Sequence, residues 1–294
     1  MIIVAGPSRA SRGFAESLAG SLRARLVETQ HKVFPDGERY VRLDESLEGE
    51  RVVVVQTLSP PQDSSLVEAM LLADAALGAG ASSVELVAPY LAYARQDRRF
   101  LPGEPVSVSV VLKALAAAGY SRLYTVEVHK QESLRAFPGE AASLSPYEYM
   151  ASKIGLSGDV LVLAPDIGAL DRARRLAGAI GADYDYLVKR RDRVTGEIVV
   201  EPKEIPAKGR DVVIVDDIIS TGGTVAKAAS MLLEQGARSI RVMVAHALMV
   251  GGAVEKLRKA GVERVYAANT LPPVGDPMVE YVDVAPVVAE AVGG

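Results

Sequence analysis

Runs of aliphatic and β-branched residues recur along the chain at 2–5, 52–56, 84–87, 123–128, 160–164, 212–215, 240–245 and 265–267. They are near-continuous apolar runs rather than strict alternations, the pattern of strands covered on both faces and hence of parallel sheets. Amphipathic stretches of helical length lie between them, at 66–77, 106–118, 169–180 and 225–234. Strand and helix in turn predict an α/β fold with helices on both sides of a mainly parallel sheet.

The pattern occurs twice. Gly80-Ala81-Ser82-Ser83-Val84-Glu85-Leu86 is echoed 156 residues later by Gly236-Ala237-Arg238-Ser239-Ile240-Arg241-Val242. Leu18-Ala19-Gly20 is echoed after 158 residues by Leu176-Ala177-Gly178. Ala118-Gly119 with Arg122-Leu123-Tyr124 is echoed after 142 by Ala260-Gly261 with Arg264-Val265-Tyr266. Three echoes in one order predict two homologous domains, 1–145 and 146–294. The fall in offset from 156 to 142 places an extra loop in the first half, and the Arg-rich segment 93–105 is the candidate. Long loops inserted into compact domains are commonly functional.

Composition narrows the chemistry. Apolar residues make up 49% of the 294, enough for a core in each half. A net charge of −4 argues against nucleic acid as a partner, because displacing counterions needs a strong basic excess. The chain has no Cys, so thiolate zinc sites, disulfides and Cys nucleophiles are excluded. The first residues turn polar too soon for a secretory leader, and the apolar stretch 242–254 is too short to span a bilayer. A soluble, cytoplasmic protein with no membrane partner is expected. Asn269 is the only Asn, a depletion that hints at a heat-adapted source.

The segment 212–224 carries the strongest chemical signal. An apolar strand runs into Asp216 and Asp217, then Ile218-Ile219-Ser220-Thr221-Gly222-Gly223-Thr224, then a helix. Strand ends of parallel sheets are where such folds bind ligands. The turn offers backbone N–H groups, hydroxyls and a helix N-terminus, all suited to phosphate. The two carboxylates suit a sugar diol or a hydrated Mg²⁺. The competing reading is a helix start capped by Ser220 or Thr221.

This segment resembles the phosphoribosyl-diphosphate binding loop of type I phosphoribosyltransferases and ribose-phosphate pyrophosphokinases. Further segments resemble the pyrophosphokinases in particular. Phe34-Pro35-Asp36-Gly37-Glu38 is similar to the loop that receives adenine, and reads otherwise as a Pro-Asp-Gly turn. Tyr93-Ala94-Arg95-Gln96-Asp97-Arg98-Arg99 is similar to the ATP-phosphate loop, and reads otherwise as a solvated basic loop. Glu127-Val128-His129 resembles the segment whose His sits by Mg²⁺–ATP. Lys189-Arg190-Arg191 resembles the catalytic stretch, Lys189 and Arg191 matching its transition-state cations; alone it would be a solvent-facing charge run. Asp166 matches a position linked to Mg²⁺ and ribose, or it caps the helix that follows.

The resemblance implies an archaeal-type pyrophosphokinase of two phosphoribosyltransferase-like domains. It would use ATP and Mg²⁺ to transfer a diphosphoryl group to C1 of ribose 5-phosphate. Ribose 5-phosphate would lie on Asp216, Asp217 and Ser220 to Thr224. ATP would lie by Phe34, Asp36, Gly37 and Glu38 and by Arg95, Gln96 and Asp97. In this family the adenine loop serves a neighbouring subunit, which implies a homo-oligomer with a shared active site. Two positions depart: Glu127 stands where Asp is usual, and Ser220 where many bacterial-type members have Asp. Nucleotide regulation of the bacterial type is therefore not carried over.

Overall fold

The structure, a computed structural model, describes residues 1–191, 198–200 and 204–294, with the strands at 189–191 and 198–200 described by their backbone. The chain divides into two compact units. One comprises Met1–Ser145, Asn269–Pro272 and Asp283–Gly294; the other comprises Pro146–Ala268 and Pro273–Val282.

In the first unit β1 (Ile2–Ala5) leads to α1 (Arg9–Leu22), β2 (Arg25–Glu28), β3 (Gln30–Val33), β4 (Arg39–Arg42) and β5 (Arg51–Val55). Then come α2 (Gln62–Gly78), β6 (Ser83–Ala88), α3 (Ser107–Ala117), β7 (Tyr120–Val126) and β8 (Glu140–Leu144). The sheet order is β2-β1-β5-β6-β7-β8, parallel throughout, with β3 and β4 forming a separate antiparallel hairpin. The apolar residues of β1 and β5 are fully buried, as continuous apolar runs require of inner strands. Helix α1 begins where the Ser8 hydroxyl accepts the Ser11 N–H at 3.0 Å, and it turns Phe14, Ala15 and Leu18 to the core.

The second unit repeats the plan. It contains α4 (Tyr147–Lys153), β9 (Val160–Ala164), α5 (Leu170–Ile180), β10 (Asp183–Tyr186), β11 (Lys189–Arg191) and β12 (Ile198–Val200). These are followed by β13 (Asp211–Ile219), α6 (Gly223–Glu234), β14 (Ser239–Ala247), α7 (Ala253–Lys259), β15 (Val262–Ala268) and β16 (Val279–Val282). The parallel order β10-β9-β13-β14-β15-β16 corresponds strand for strand to the first sheet, and the hairpin β11-β12 to β3-β4. The expected duplicated parallel α/β fold is the one observed. Even an irregularity is shared: register shifts between Val84 and Glu85 in β6 and between Ile240 and Arg241 in β14.

The glycine echoes have a packing cause. A Cβ on Gly119 would lie 2.6 Å from Cδ1 of Leu77, and one on Gly261 would lie 2.3 Å from Cδ1 of Leu233. Both glycines have positive φ, +118° and +81°, so a side chain would be strained twice over. The β6–α3 connection runs through 89–106, whereas β14–α7 needs only 248–252, so the extra length lies where the offsets place it.

Two features escape the sequence reading. The outer strands β2, β8, β10 and β16 are partly exposed and lack the continuous apolar runs of the inner strands. The C-terminal α8 (Ala285–Gly293), expected with the second half, groups with the first unit, where it packs on α1.

Equivalent ion pairs carry opposite signs in the two halves. On β5 and β6, Arg51 grips Glu85 with two bonds of 2.8 Å. On β13 and β14, Asp211 stands at the position of Arg51 and Arg241 at that of Glu85, 3.3 Å apart. Asp211 also accepts two 2.8 Å bonds from Arg238. These bonds hold its carboxyl well below the usual range. Glu85 is only 4% exposed, so Arg51→Ala leaves a buried carboxylate without its bidentate partner. The expected cost is about 3 kcal/mol, the low end for a buried pair broken on one side. Urea unfolding of the variant checks this; an unchanged midpoint would mean that Arg122, 3.8 Å from Glu85, suffices alone.

Candidate active site

In the second unit three carboxylates gather at the carboxyl ends of β9 and β13. Val212 to Val215 of β13 are buried, and Asp216 and Asp217 follow them in the last half of the strand. Asp217 is buried beside Arg172 of α5, whose Nη2 lies 3.5 Å from its Oδ2. Asp216 accepts the Asp217 N–H at 3.0 Å. Its carboxyl is held well above the usual range, first by burial and then by the charge of Asp217; Asp166 adds to the effect and Arg172 opposes it. Asp166 accepts the Gly168 N–H at 2.9 Å and caps a 3₁₀ turn over Ile167–Ala169, ahead of α5. Capping does not preclude a further role, because a carboxylate has several acceptor sites.

The turn after β13 does not follow the capping reading of 220–224. Helix α6 is not capped by Ser220 or Thr221: its N-cap is Gly222, at φ +72°, with no side-chain cap bond. Only glycine takes that conformation without strain. A Cβ on Gly223 would meet nothing within 4 Å, so open space lies over the first turn of the helix. The first N–H groups of α6 have no intrahelical partners and carry the positive end of its dipole. Its first turn has no acidic residue to compete with an anion.

The equivalent place in the first unit is closed. There β5 runs into Gln56 and Thr57, both fully buried. Gln56 accepts from the Ser11 hydroxyl at 3.1 Å and donates to Ser65 O and to Glu68 Oε2, each at 3.2 Å. Helix α2 starts after Pro61, which has no N–H to offer, and places Asp63 in its first turn. Burial raises the Glu68 carboxyl, with Arg39 of β4, 3.8 Å away, pulling the other way.

The remaining first-unit candidates sit on the hairpin and on loops after β6 and β7. The β3–β4 connection is the Pro-Asp-Gly turn foreseen from sequence: Gly37 donates to Phe34 O at 2.9 Å, with φ +97°, and Glu38 N donates to Asp36 Oδ1 at 3.2 Å. The Phe34 ring is 37% exposed, edge-on to Tyr40 at 6.1 Å, with the Lys32 ammonium 4.5 Å from its centre. Arg95 is exposed, while Gln96 is tied to the Ser107 hydroxyl at the start of α3. Asp97 lines a cavity of about 580 Å³ together with Arg99, Lys113 and Glu132. His129 follows β7, beyond Glu127 at φ +40°.

Lys189 and Arg191 lie on β11, opposite Val200 and Ile198 of β12; their side chains lie outside the described part of the structure. Among the described residues no three His, Asp or Glu side chains form a group able to hold a metal ion. Nor is any helix of the described residues long and apolar enough to cross a membrane. Sequence reading missed Arg172, one of three arginines in α5. Nothing local separates it from Arg174 and Arg175, which meet Asp171 and Glu148 at the surface.

Residues 1–119 match the family described as the N-terminal domain of ribose phosphate pyrophosphokinase, and residues 148–270 match the phosphoribosyl transferase domain. The ribose-phosphate pyrophosphokinase of Aeropyrum pernix is 46% identical over 286 residues, covering 96% of this chain and 93% of that one. That of Saccharolobus solfataricus is 46% identical over 273 residues, covering 92% and 93%. The phosphoribosylpyrophosphate synthetase of Mycobacterium smegmatis superposes with a TM-score of 0.88 at 27% identity, covering 100% of this chain and 97% of that one. Matched over both halves, and in fold as well as sequence, the chain belongs to the ribose-phosphate pyrophosphokinase family.

Proposed function

We propose that ribose 5-phosphate is held at the strand ends of the second unit and ATP by the loops of the first, in the family's transfer of a diphosphoryl group. One observation carries this reading: a glycine-started helix with no side-chain cap follows directly on two adjacent carboxylates. The 5-phosphate takes the N–H groups that open α6 and the hydroxyls of Ser220, Thr221 and Thr224. The ribose diol donates to Asp216 and Asp217. Adenine stacks by Phe34 beside Asp36, Gly37 and Glu38, and the ATP phosphates lie along Arg95, Gln96 and Asp97.

Mg²⁺ fits the residues present. Burial, Asp217 and Asp166 raise the cost of ionising Asp216, which a cation relieves, and Mg²⁺ needs only one or two protein carboxylates when phosphates supply other oxygens. Asp166 is assigned to it beside the ribose, and His129 to its complex with ATP. When bound, it neutralises charge on the phosphate oxygens.

The C1 hydroxyl attacks the β-phosphorus and gives up its proton to solvent, the bond from that phosphorus to the oxygen of the α-phosphate breaks, and AMP leaves with that bond's electron pair. Positioning and charge neutralisation do most of the work in such transfers. Lys189 and Arg191 stabilise the charge that develops on the moving group. The Phe34 turn serves a neighbouring copy, so the working form is a homo-oligomer. A cytoplasmic location belongs to the same reading.

AMP and 5-phosphoribosyl 1-diphosphate should form one for one from ATP and ribose 5-phosphate with Mg²⁺; ADP as product would refute the transfer. Lys189→Ala should lower kcat by roughly 10²- to 10³-fold with little change in substrate binding. Near-normal turnover in that variant would remove the assigned role.

A shared site predicts complementation. Phe34→Ala and Lys189→Ala proteins, each impaired alone, should regain activity when mixed under conditions of subunit exchange. No recovery, with exchange verified by mass spectrometry, would place both residues in one subunit's site.

Asp216 gives a pH signature. Its raised folded pKa means that the folded chain holds this proton more tightly than the unfolded chain. Stability therefore falls as pH rises from the unfolded value of about 4 through the folded one. Asp216→Asn cannot ionise, so the ligand-free variant should melt higher than the parent at neutral pH and converge with it near pH 4. Parallel melting curves across that range would show that Asp216 bears no such strain.

A further inference from the structure

Four carbonyls of β13 and of the turn after it are tied down, the last three of them in succession. The hydroxyl of Tyr147, a fully buried side chain on α4, donates to Asp216 O at 2.8 Å. The Met249 N–H donates to Ile219 O at 3.1 Å, and the Val250 N–H to Ser220 O at 3.0 Å. The Lys256 ammonium, on α7, completes the series with a 2.7 Å bond to Thr221 O. The segment supplying these last three bonds is sharply curled, with positive φ at Met249, Gly251 and Gly252. That curl brings the start of α7 up to the turn.

A trans peptide is planar, with its carbonyl and the following N–H pointing in opposite directions. Holding the carbonyls of Ser220 and Thr221 toward 249–256 therefore aims the N–H groups of Thr221 and Gly222 the other way. Those two donors continue the row of free N–H groups that opens α6. Main-chain ties at Ile219 and Ser220 survive any side-chain substitution there. The tie at Thr221 depends on one lysine.

We propose that Lys256 is a positioning residue for ribose 5-phosphate, holding the Thr221–Gly222 peptide so that its N–H faces the phosphate before the ligand arrives. This rests on the reading of 220–224 as the phosphate site. Lys256 acts through the peptide and does not touch the ligand. A cation bonded to a carbonyl also polarises the amide, making its N–H a stronger donor. The effect is spent on binding the phosphate, remote from the bond that breaks, so it belongs in KM for one substrate.

Steady-state kinetics of Lys256→Met, Lys256→Arg and Asp217→Ala, with melting curves for each, test the proposal. Lys256→Met should raise KM for ribose 5-phosphate roughly tenfold, the factor carried by one lost charge-assisted bond. KM for ATP and kcat should stay within about twofold, and Lys256→Arg, which can still donate to the carbonyl, should restore most of the loss. Lys256 is exposed, so the melting temperature should not move. An unchanged KM for ribose 5-phosphate in Lys256→Met, or an equal rise in both KM values, overturns the role. If Asp217→Ala also leaves that KM unchanged, the reading of the site itself fails; if only Asp217→Ala raises it, the role of Lys256 alone fails.

Discussion

A parallel sheet covered on both faces leaves chemistry nowhere to go but the ends of its strands. The inner strands of either sheet bury long apolar runs, and the candidate site residues gather toward their carboxyl ends. Asp166 follows β9, Asp216 and Asp217 lie toward the carboxyl end of β13, His129 follows β7, and the Arg95 loop follows β6. The same constraint explains why carboxylates so close together are tolerated. They sit where a core ends, partly desolvated, and the fold bears their repulsion because the rest of the strand is well buried.

Duplication gives this principle an internal control. The halves share strand order, hairpin placement and a register shift, yet differ at the turn that follows β5 and β13. Where β13 opens into glycine and a helix start without a side-chain cap, β5 opens into glutamine, threonine and proline. The amide and hydroxyls around Gln56 satisfy one another internally, so in the first unit the corresponding place is a packed polar core. One scaffold thus supports either outcome, and a handful of residues at a strand end chooses.

Much of this was legible in the sequence because it is local. The runs 2–5 and 160–164 coincide with β1 and β9 to the residue, and the Asp-Asp to Thr-Gly-Gly-Thr segment announces its own strand, turn and helix. What stayed hidden arrives from other elements. Arg172 reaches Asp217 from α5, and Tyr147 reaches Asp216 from α4, with no spacing to mark either. The outer strands were missed because a strand with one neighbour need not be apolar. Gln96 shows a further limit: its amide, expected to serve ATP, is also bound to Ser107 at the head of α3, a second duty visible only in three dimensions.

The reversed ion pairs bear on how such a chain reaches its fold. Two halves with one strand order offer each strand a wrong partner nearly as good as the right one. Setting β5 beside β14 would bring Arg51 against Arg241, and setting β13 beside β6 would bring Asp211 against Glu85. Correct pairing joins opposite charges; exchanged pairing joins like ones. The inversion works as a key cut differently for each half, so a duplicated gene product can fold twice without confusing its copies.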